Sequence, residues 1–348
     1  MEKWCSWFLS RGHEVHLISF TGGNLPGVVL HRIDLGLSGS ESDMAKLKYL
    51  TQGRNIRRLV KDIKPDVVNV HYATSYGAAA ALSGIRGYVL SVWGADVYDF
   101  PRKSPLHRLL LKFSLSRAKL LFSTSAAMAR ETRKYTRKNI KITPFGVDTA
   151  FFSPDKRSRG DDKLFVIGTV KKLEPKYGID VLLKAAAMLR ERLPELRVVI
   201  AGTGTNEEEY HRLADELGIG DIVRWTGFIP QEEAAVLWAD LDAAVIPSVL
   251  ESESFGVAAV EAEASGIPVV ISDVPGLMEA TRPGYTSVVV PRKEPEKLAE
   301  AICRLAKDEG LRRKLGRNGR RFAVRKYSLD ACFEEIEQKL KEICRERH

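Results

Sequence analysis

Short β-branched runs alternate with helical patterns twice over along this chain, and that restart limits its fold more than any other feature. In the first series, DVVNVH (66–71), GYVLSVW (87–93), KLLFSTS (119–125) and IKIT (140–143) read as buried strands. Helical patterns over 106–116 and 127–134 lie among them. A polar stretch, DKRSRGDDK (155–163), then interrupts the pattern as a linker does. The alternation resumes with LFVIGTV (164–170), LRVVIAG (196–202), DIVRWTG (221–227), DAAVIPS (242–248), PVVISD (268–273) and TSVVVP (286–291). Two successive βα series predict an α/β chain of two doubly wound, Rossmann-like domains. The tail over 311–348 reads as helical and polar, and a length of 348 residues suits two cores.

The beginning departs from that plan. Trp4, Trp7 and Phe8 recur at helical spacing before Arg11 and Gly12, and only then comes a strand, EVHLISF (14–20). A doubly wound domain normally opens with a strand. Either the first strand of the N-terminal domain is missing here, or the domain begins with a helix.

Charge separates the halves. Residues 1–150 carry 23 Lys and Arg against 11 Asp and Glu, a net +12, whereas the remainder is −3. A basic first half implies an anionic partner: a membrane surface, a phosphorylated acceptor or nucleic acid. Nucleic acid is set aside, because no aromatic-basic strip or recognition helix accompanies the charge. The stretch 101–119, PRKSPLHRLLLKFSLSRAK, is basic and amphipathic. It suits an anionic bilayer, or a helix packed on its own sheet with solvated charges. No run approaches 18 apolar residues, and the N-terminus lacks the zones of a signal peptide. Cys5, Cys303, Cys332 and Cys344 show no C-x-x-C spacing and read as free thiols. The expected location is cytoplasmic, with peripheral contact on the inner face of the membrane as a hypothesis.

The chemistry concentrates in SESFGVAAVEAEASGIPVV (252–270). Ligands of open α/β sheets bind beyond the carboxyl ends of the strands, where the loop after DAAVIPS lies. Gly256 and Val257 begin a helix there, with free N–H groups and the positive end of the dipole, which suits a diphosphate. Glu261, four residues after Val257, projects back toward the same ligand and could accept from a ribose diol. Glu253, on the loop with Ser254 and Phe255, would face the group beyond the phosphates. Glu263 is read as solvated. Two glutamates at this spacing are common, so the strand, the E-S-F-G loop and the G-I-P-V-V that follows carry the weight together.

These residues resemble the retaining glycosyltransferases of family 4, which have the GT-B fold of two Rossmann-like domains facing a cleft. The likeness extends to R-G-H-E-V (11–15), P-F-G-V-D-x3-F-x-P (144–154), KLEPKYGID (172–180) and the pair Gly202 and Gly204. It implies an N-terminal acceptor domain over 1–152 and a nucleotide-sugar domain over 153–327, with helix 328–348 packing back toward the first. The implied reaction moves a sugar from a nucleoside diphosphate donor, UDP- or GDP-linked, to a hydroxyl acceptor, a glycan or lipid-linked glycan. Configuration would be retained, with no metal and no bound cofactor. By the same resemblance Glu253 contacts the sugar, Glu261 the ribose, the amides of Gly256 and Val257 the phosphates, and the backbone near Phe228 and Ile229 the base, with Ser254 and Phe255 also among the donor-binding residues. Lys172 stands where the family usually has a phosphate-binding arginine, and Lys176 lies one place before the usual second cation, here Tyr177. Both would neutralise the departing diphosphate. On the acceptor side, Trp93 replaces a frequent histidine, and Asp96 and His71 share that edge. His71 is an acceptor contact or a local hydrogen-bonding residue.

Other signals are weaker. Asp240-Leu241-Asp242 has the D-x-D form of metal-dependent transferases but precedes its strand, at the wrong end of the sheet. Gly202-Thr203-Gly204 lacks the third glycine of a dinucleotide loop, since position 207 is Glu. Two rival functions remain: a nucleotide-sugar epimerase on the same fold, and a non-catalytic nucleotide-binding partner subunit.

Overall fold

A computed structural model describes residues 2–20, 25–35, 45–160 and 163–345. The chain divides into two compact units, Met1–Thr143 with Phe333–His348, and Pro144–Cys332. The division falls at residue 144 because the PFGVD stretch is tied into the second unit. Val147 bridges Ser328 there. The Arg320 guanidinium donates to the carbonyls of Thr149 (2.6 Å), Phe152 (2.8 Å) and Ala264 (2.7 Å). Of the sequence-expected linker, residues 161 and 162 lie outside the described residues, as do 346–348 of the tail. Ser158 and Arg159 are held by backbone N–H donation to the Asp240 carboxylate at 2.6 and 2.8 Å.

The first unit runs α1 (Glu2–Ser10), β1 (His16–Ser19), β2 (Val29–Arg32), α2 (Gly53–Ile63), β3 (Asn69–His71), α3 (Tyr76–Ser83), β4 (Val89–Ser91), α4 (Ala95–Tyr98), α5 (Pro105–Arg117), β5 (Leu120–Ser123), α6 (Ala126–Thr132) and β6 (Ile140–Ile142). Strands β3-β4-β5-β6 pair in chain order as one parallel sheet, and β1-β2 form a separate parallel pair. Short runs such as LLFS are wholly apolar or nearly so because helices cover both faces of a parallel sheet. Ser104 and Ser125 start α5 and α6 by accepting from His107 N and Met128 N. Strand β2 has no counterpart in the sequence reading: four residues give too little alternation to register. In α1, Trp4 and Trp7 are buried, with rings 5.1 and 5.5 Å from Phe333.

The second unit runs β7 (Phe165–Val170), α7 (Ile179–Leu189), β8 (Leu196–Ala201), α8 (Glu207–Glu216), β9 (Val223–Gly227), α9 (Gln231–Asp240), β10 (Ala243–Ile246), α10 (Val257–Ala264), β11 (Val269–Ser272), α11 (Pro275–Ala280), β12 (Ser287–Val290), α12 (Pro295–Lys307) and α13 (Glu309–Tyr327). A last helix, α14 (Leu329–Arg345), begins in this unit and continues into the first. The sheet order is β12-β11-β10-β7-β8-β9, all parallel. The chain therefore leaves β7 in one direction, crosses back beside it at β10, and continues in the other. This is the doubly wound order with a switch point between β7 and β10. Asp242 lies at the opposite end, where it accepts from Val166 N at 2.8 Å and pairs with Arg159 at 2.7 Å.

Glu263 corrects the sequence reading. It is fully buried rather than solvated. Helix α10 packs it against α13, and Gly319 leaves its space: a Cβ there would lie 3.1 Å from the Glu263 Cγ. Burial pushes its carboxyl up to about 8, with the Thr286 hydroxyl and the Lys326 ammonium pulling the other way. A group that binds its proton more tightly folded than unfolded stabilises the fold at low pH. That contribution is fully present below about 4.5 and is lost as pH rises toward 8. Glu263→Gln should therefore have little effect at the acid end of that window. Near pH 8 it should stabilise by a few kcal/mol, at about 1.4 kcal/mol per pKa unit. Urea melts of both proteins across the window check this.

Candidate active site

The carboxyl ends of β7 and β10 flank the switch point, so the loops that follow them form the natural ligand edge of the second unit. Two glycines let these loops meet. Gly178, with φ +66°, lies so close to the Pro247 carbonyl oxygen that no side chain fits. Gly276, at the start of α11, likewise presses against the backbone of Glu253 and Ser254.

Glu253 lies on the second loop with its side chain 9% exposed, and its Oε1 accepts from the Lys171 ammonium at 2.9 Å. Phe255 is turned into the interior, where its ring meets Phe145 (5.9 Å) and Tyr327 (5.3 Å) edge-on. Only its backbone is available to a ligand. Gly256 follows at φ +78° as the N-cap of α10, and no side chain caps that helix. Its φ favours glycine, and a Cβ there would lie 2.5 Å from Leu277 Cδ2. Val257 is the first helical residue and Glu261, half-buried, stands one turn in. Ser254 is buried beside Glu253.

The sequence-predicted cations take different positions. Lys172 is 72% exposed, 3.9 Å from Glu174. Lys176 places its ammonium 4.7 Å from the Tyr177 ring, and the Lys171 ammonium lies 5.0 Å from the same ring. Burial pushes the Tyr177 hydroxyl up to about 12. Sequence reasoning missed Lys171. The signal was a Lys-Lys doublet directly after a strand, where neighbours point to opposite sides, but nothing in the sequence says which lysine turns inward. Phe228, 78% exposed, follows β9. With Ile229 it borders a groove of about 1000 Å³ between β9 and α9. Lys176 borders a depression of about 1120 Å³ over α7 and α8, and neither hollow is lined by Glu253 or Glu261.

In the first unit, the carboxyl ends of β3 and β4 gather His71, Trp93 and Asp96. Asp96 is fully buried and works as a brace. It accepts from Ala73 N (2.9 Å), Trp93 N (3.0 Å) and Gly94 N (2.9 Å), stapling the loop after β3 to the loop after β4. Burial raises its carboxyl above the usual range, and those amides pull it back. The His71 ring is met edge-on by Trp4 at 4.8 Å and Trp93 at 5.7 Å. Burial lowers it to about 3, which keeps it neutral, and its Nδ1 has no hydrogen-bond partner. Tyr72, next in chain, takes φ +76°, an uncommon conformation for a large side chain at a ligand edge. Among the described residues, no group of three or more His, Cys, Asp or Glu is arranged to hold a metal ion.

A parallel sheet of this order, with a glycine-started helix at its switch point, is a Rossmann-like arrangement whose ligand edge lies where Glu253 and Glu261 stand. Residues 152–322 match the model of the glycosyl transferases group 1 family, and residues 1–125 match that of the glycosyl transferase 4-like family. The D-inositol 3-phosphate glycosyltransferase of Pseudarthrobacter chlorophenolicus is 30% identical over 332 residues, covering 84% of this chain and 75% of that one. Its counterpart in Kribbella flavida is 29% identical over 325 residues, covering 84% and 76%. Among solved structures, sucrose-phosphate synthase from Thermosynechococcus elongatus superposes with a TM-score of 0.83 at 21% identity, over 97% of this chain and 90% of that one. HepE of Anabaena, in complex with UDP, gives 0.80 at 18% identity, over 98% and 96%. The chain belongs to the group 1 glycosyltransferase family and is a transferase with the GT-B fold.

Gly256→Ala should cost about 1–3 kcal/mol in a urea melt, since it combines a strained φ with a clash on Leu277. It should also weaken binding of UDP or GDP by calorimetry.

Proposed function

We propose that this protein transfers a sugar from a nucleoside diphosphate sugar to a hydroxyl of a glycan or lipid-linked glycan, with retention of configuration. The observation that carries the donor assignment is the arrangement at the switch point. Glu253 is held in place by Lys171, and Gly256 opens α10 without a side-chain cap, one turn before Glu261. In this reading the Gly256 and Val257 amides receive the diphosphate, assisted by the backbone of Ser254 and Phe255. Glu261 accepts from the ribose, and the base lies by Phe228 and Ile229. Glu253 accepts from hydroxyls of the sugar that moves. Lys172, well exposed, and Lys176 supply positive charge as the diphosphate departs.

The bond from the anomeric carbon to the diphosphate breaks, and a bond to the acceptor oxygen forms on the same face. The acceptor proton passes to the leaving phosphate, so no side-chain nucleophile is needed. The acceptor belongs to the first unit, where Trp93 and neutral His71 offer an aromatic edge and the charge of +12 over residues 1–150 favours an anionic molecule. The relatives named for D-inositol 3-phosphate are compatible with a phosphorylated acceptor. Calorimetry with UDP and GDP tests the donor seat: one of them should bind in the micromolar range, and Glu261→Ala should weaken it about tenfold or more. Equal binding by the variant removes the assignment.

We also propose that α5 rests on an anionic bilayer. Leu106 is 73% and Leu109 64% exposed on this helix, among the exposed Arg102, Lys103, Arg108, Lys112 and Arg117. Apolar side chains bounded by cations suit the interface of a charged membrane. No described helix is long and apolar enough to cross one. Vesicles of phosphatidylglycerol and phosphatidylcholine should bind the protein at low salt and release it at high salt. Leu106→Asp with Leu109→Asp should weaken binding about tenfold or more. Unchanged binding by that double variant would clear the helix of the role.

A further inference from the structure

Two charged side chains stand nearly out of water at the switch point, and of these only Glu253 was given a contact with the sugar above. We infer that Lys171 is the positioning residue for Glu253, fixing the carboxylate that grips the transferred sugar. This rests on the donor-site reading of the second unit.

Both ends of the pair are anchored by backbone. Lys171 is the first residue past β7, and its N–H donates to the Ala201 carbonyl at 2.9 Å. Its own carbonyl meets Gly202 so closely that a Cβ there has no room. Glu253 N donates to Leu250 O at 3.1 Å, and the Glu253 carbonyl is pressed by Gly276. Between these clamps the ammonium and the carboxylate meet at 2.9 Å, with side chains 10% and 9% exposed. The Tyr177 ring covers the ammonium from 5.0 Å. Backbones held this firmly leave each side chain little choice of direction.

The consequence for a ligand is geometric. A carboxylate only accepts hydrogen bonds, and with Oε1 committed to Lys171 the direction of Oε2 is set before any sugar arrives. A buried ion pair adds little net stability, because desolvation consumes most of the attraction. Its value here is placement at the junction of the two loops that flank the switch point. Lys172, next in chain, is 72% exposed and cannot take over from outside. Neutralising Lys171 leaves Oε1 without the ammonium that fixes it and frees the carboxylate to rotate.

The readout is the added affinity of a nucleotide sugar over its own nucleotide. Calorimetry compares UDP with UDP-glucose and UDP-N-acetylglucosamine, and GDP with GDP-mannose, on wild type, Lys171→Met, Lys171→Arg, Glu253→Gln and the double variant. One sugar should bind the wild type about tenfold or more tighter than its nucleotide, as expected for hydrogen bonds to a charged acceptor. Lys171→Met should erase that increment while leaving nucleotide affinity within about twofold, and Lys171→Arg should restore most of it. The double variant should lose no more than Glu253→Gln alone, since the two act as one unit. Circular dichroism melts report folding. If Lys171→Met does not fold, Lys171→Gln is carried through the same cycle and decides. Independent losses in the cycle, an increment that survives Lys171→Met, or no sugar increment in any wild-type pair would overturn the inference. Failure of the donor seat itself looks different: nucleotide binding would then be absent or indifferent to Glu261→Ala.

Discussion

The contact between Gly178 and the Pro247 carbonyl brings the loop after β7 against the loop after β10, with no space for a side chain between them. Everything proposed for the second unit depends on that closeness. It lets an ammonium carried beyond β7 reach a carboxylate carried beyond β10, although the two residues are 82 positions apart in the chain. It also places the start of α10 where a phosphate would meet free amides rather than another side chain. Gly202, Gly256 and Gly276 extend the same logic, each admitting backbone or ligand where a Cβ would intrude.

Helix α10 serves two environments at once. Its N-terminus and Glu261 belong to the ligand edge, while Glu263 is sealed against α13 with its carboxyl raised to about 8 by burial. The small residues of α13 make that seal. Gly316 abuts the Gly266 carbonyl and Gly319 abuts Glu263, so the helices approach closely enough to exclude water from a carboxyl group. The first unit is organised by a comparable brace. Asp96 gathers three backbone amides from two loops, and it fixes the edge on which His71 and Trp93 sit.

Much of this was readable in advance. Strand positions followed from β-branched runs, because parallel strands covered on both faces must be apolar throughout. The E-S-F-G loop and the helix after it came from glycine and carboxylate spacing, which are local properties. Phe255 and Asp96 were drawn to the site by position, yet the first sends its ring into the core and the second spends its carboxylate on backbone. Neither outcome is written in a residue type. Lys171 was missed and Glu263 misread for the same reason: a lysine or glutamate gives no local sign of whether its neighbours will leave it water.

The sequence by itself determined the two βα series, the charge contrast between the halves, the glycine-started helix with its two glutamates, and the family. These depend on periodicity, composition and short-range spacing, all of which survive in one dimension. Only the tertiary structure decided that the β7 and β10 loops meet, that Lys171 rather than Lys172 faces Glu253, and that Glu263 is dry. The physical reason is that burial and ion pairing belong to the space between elements, and that space exists only once distant segments pack.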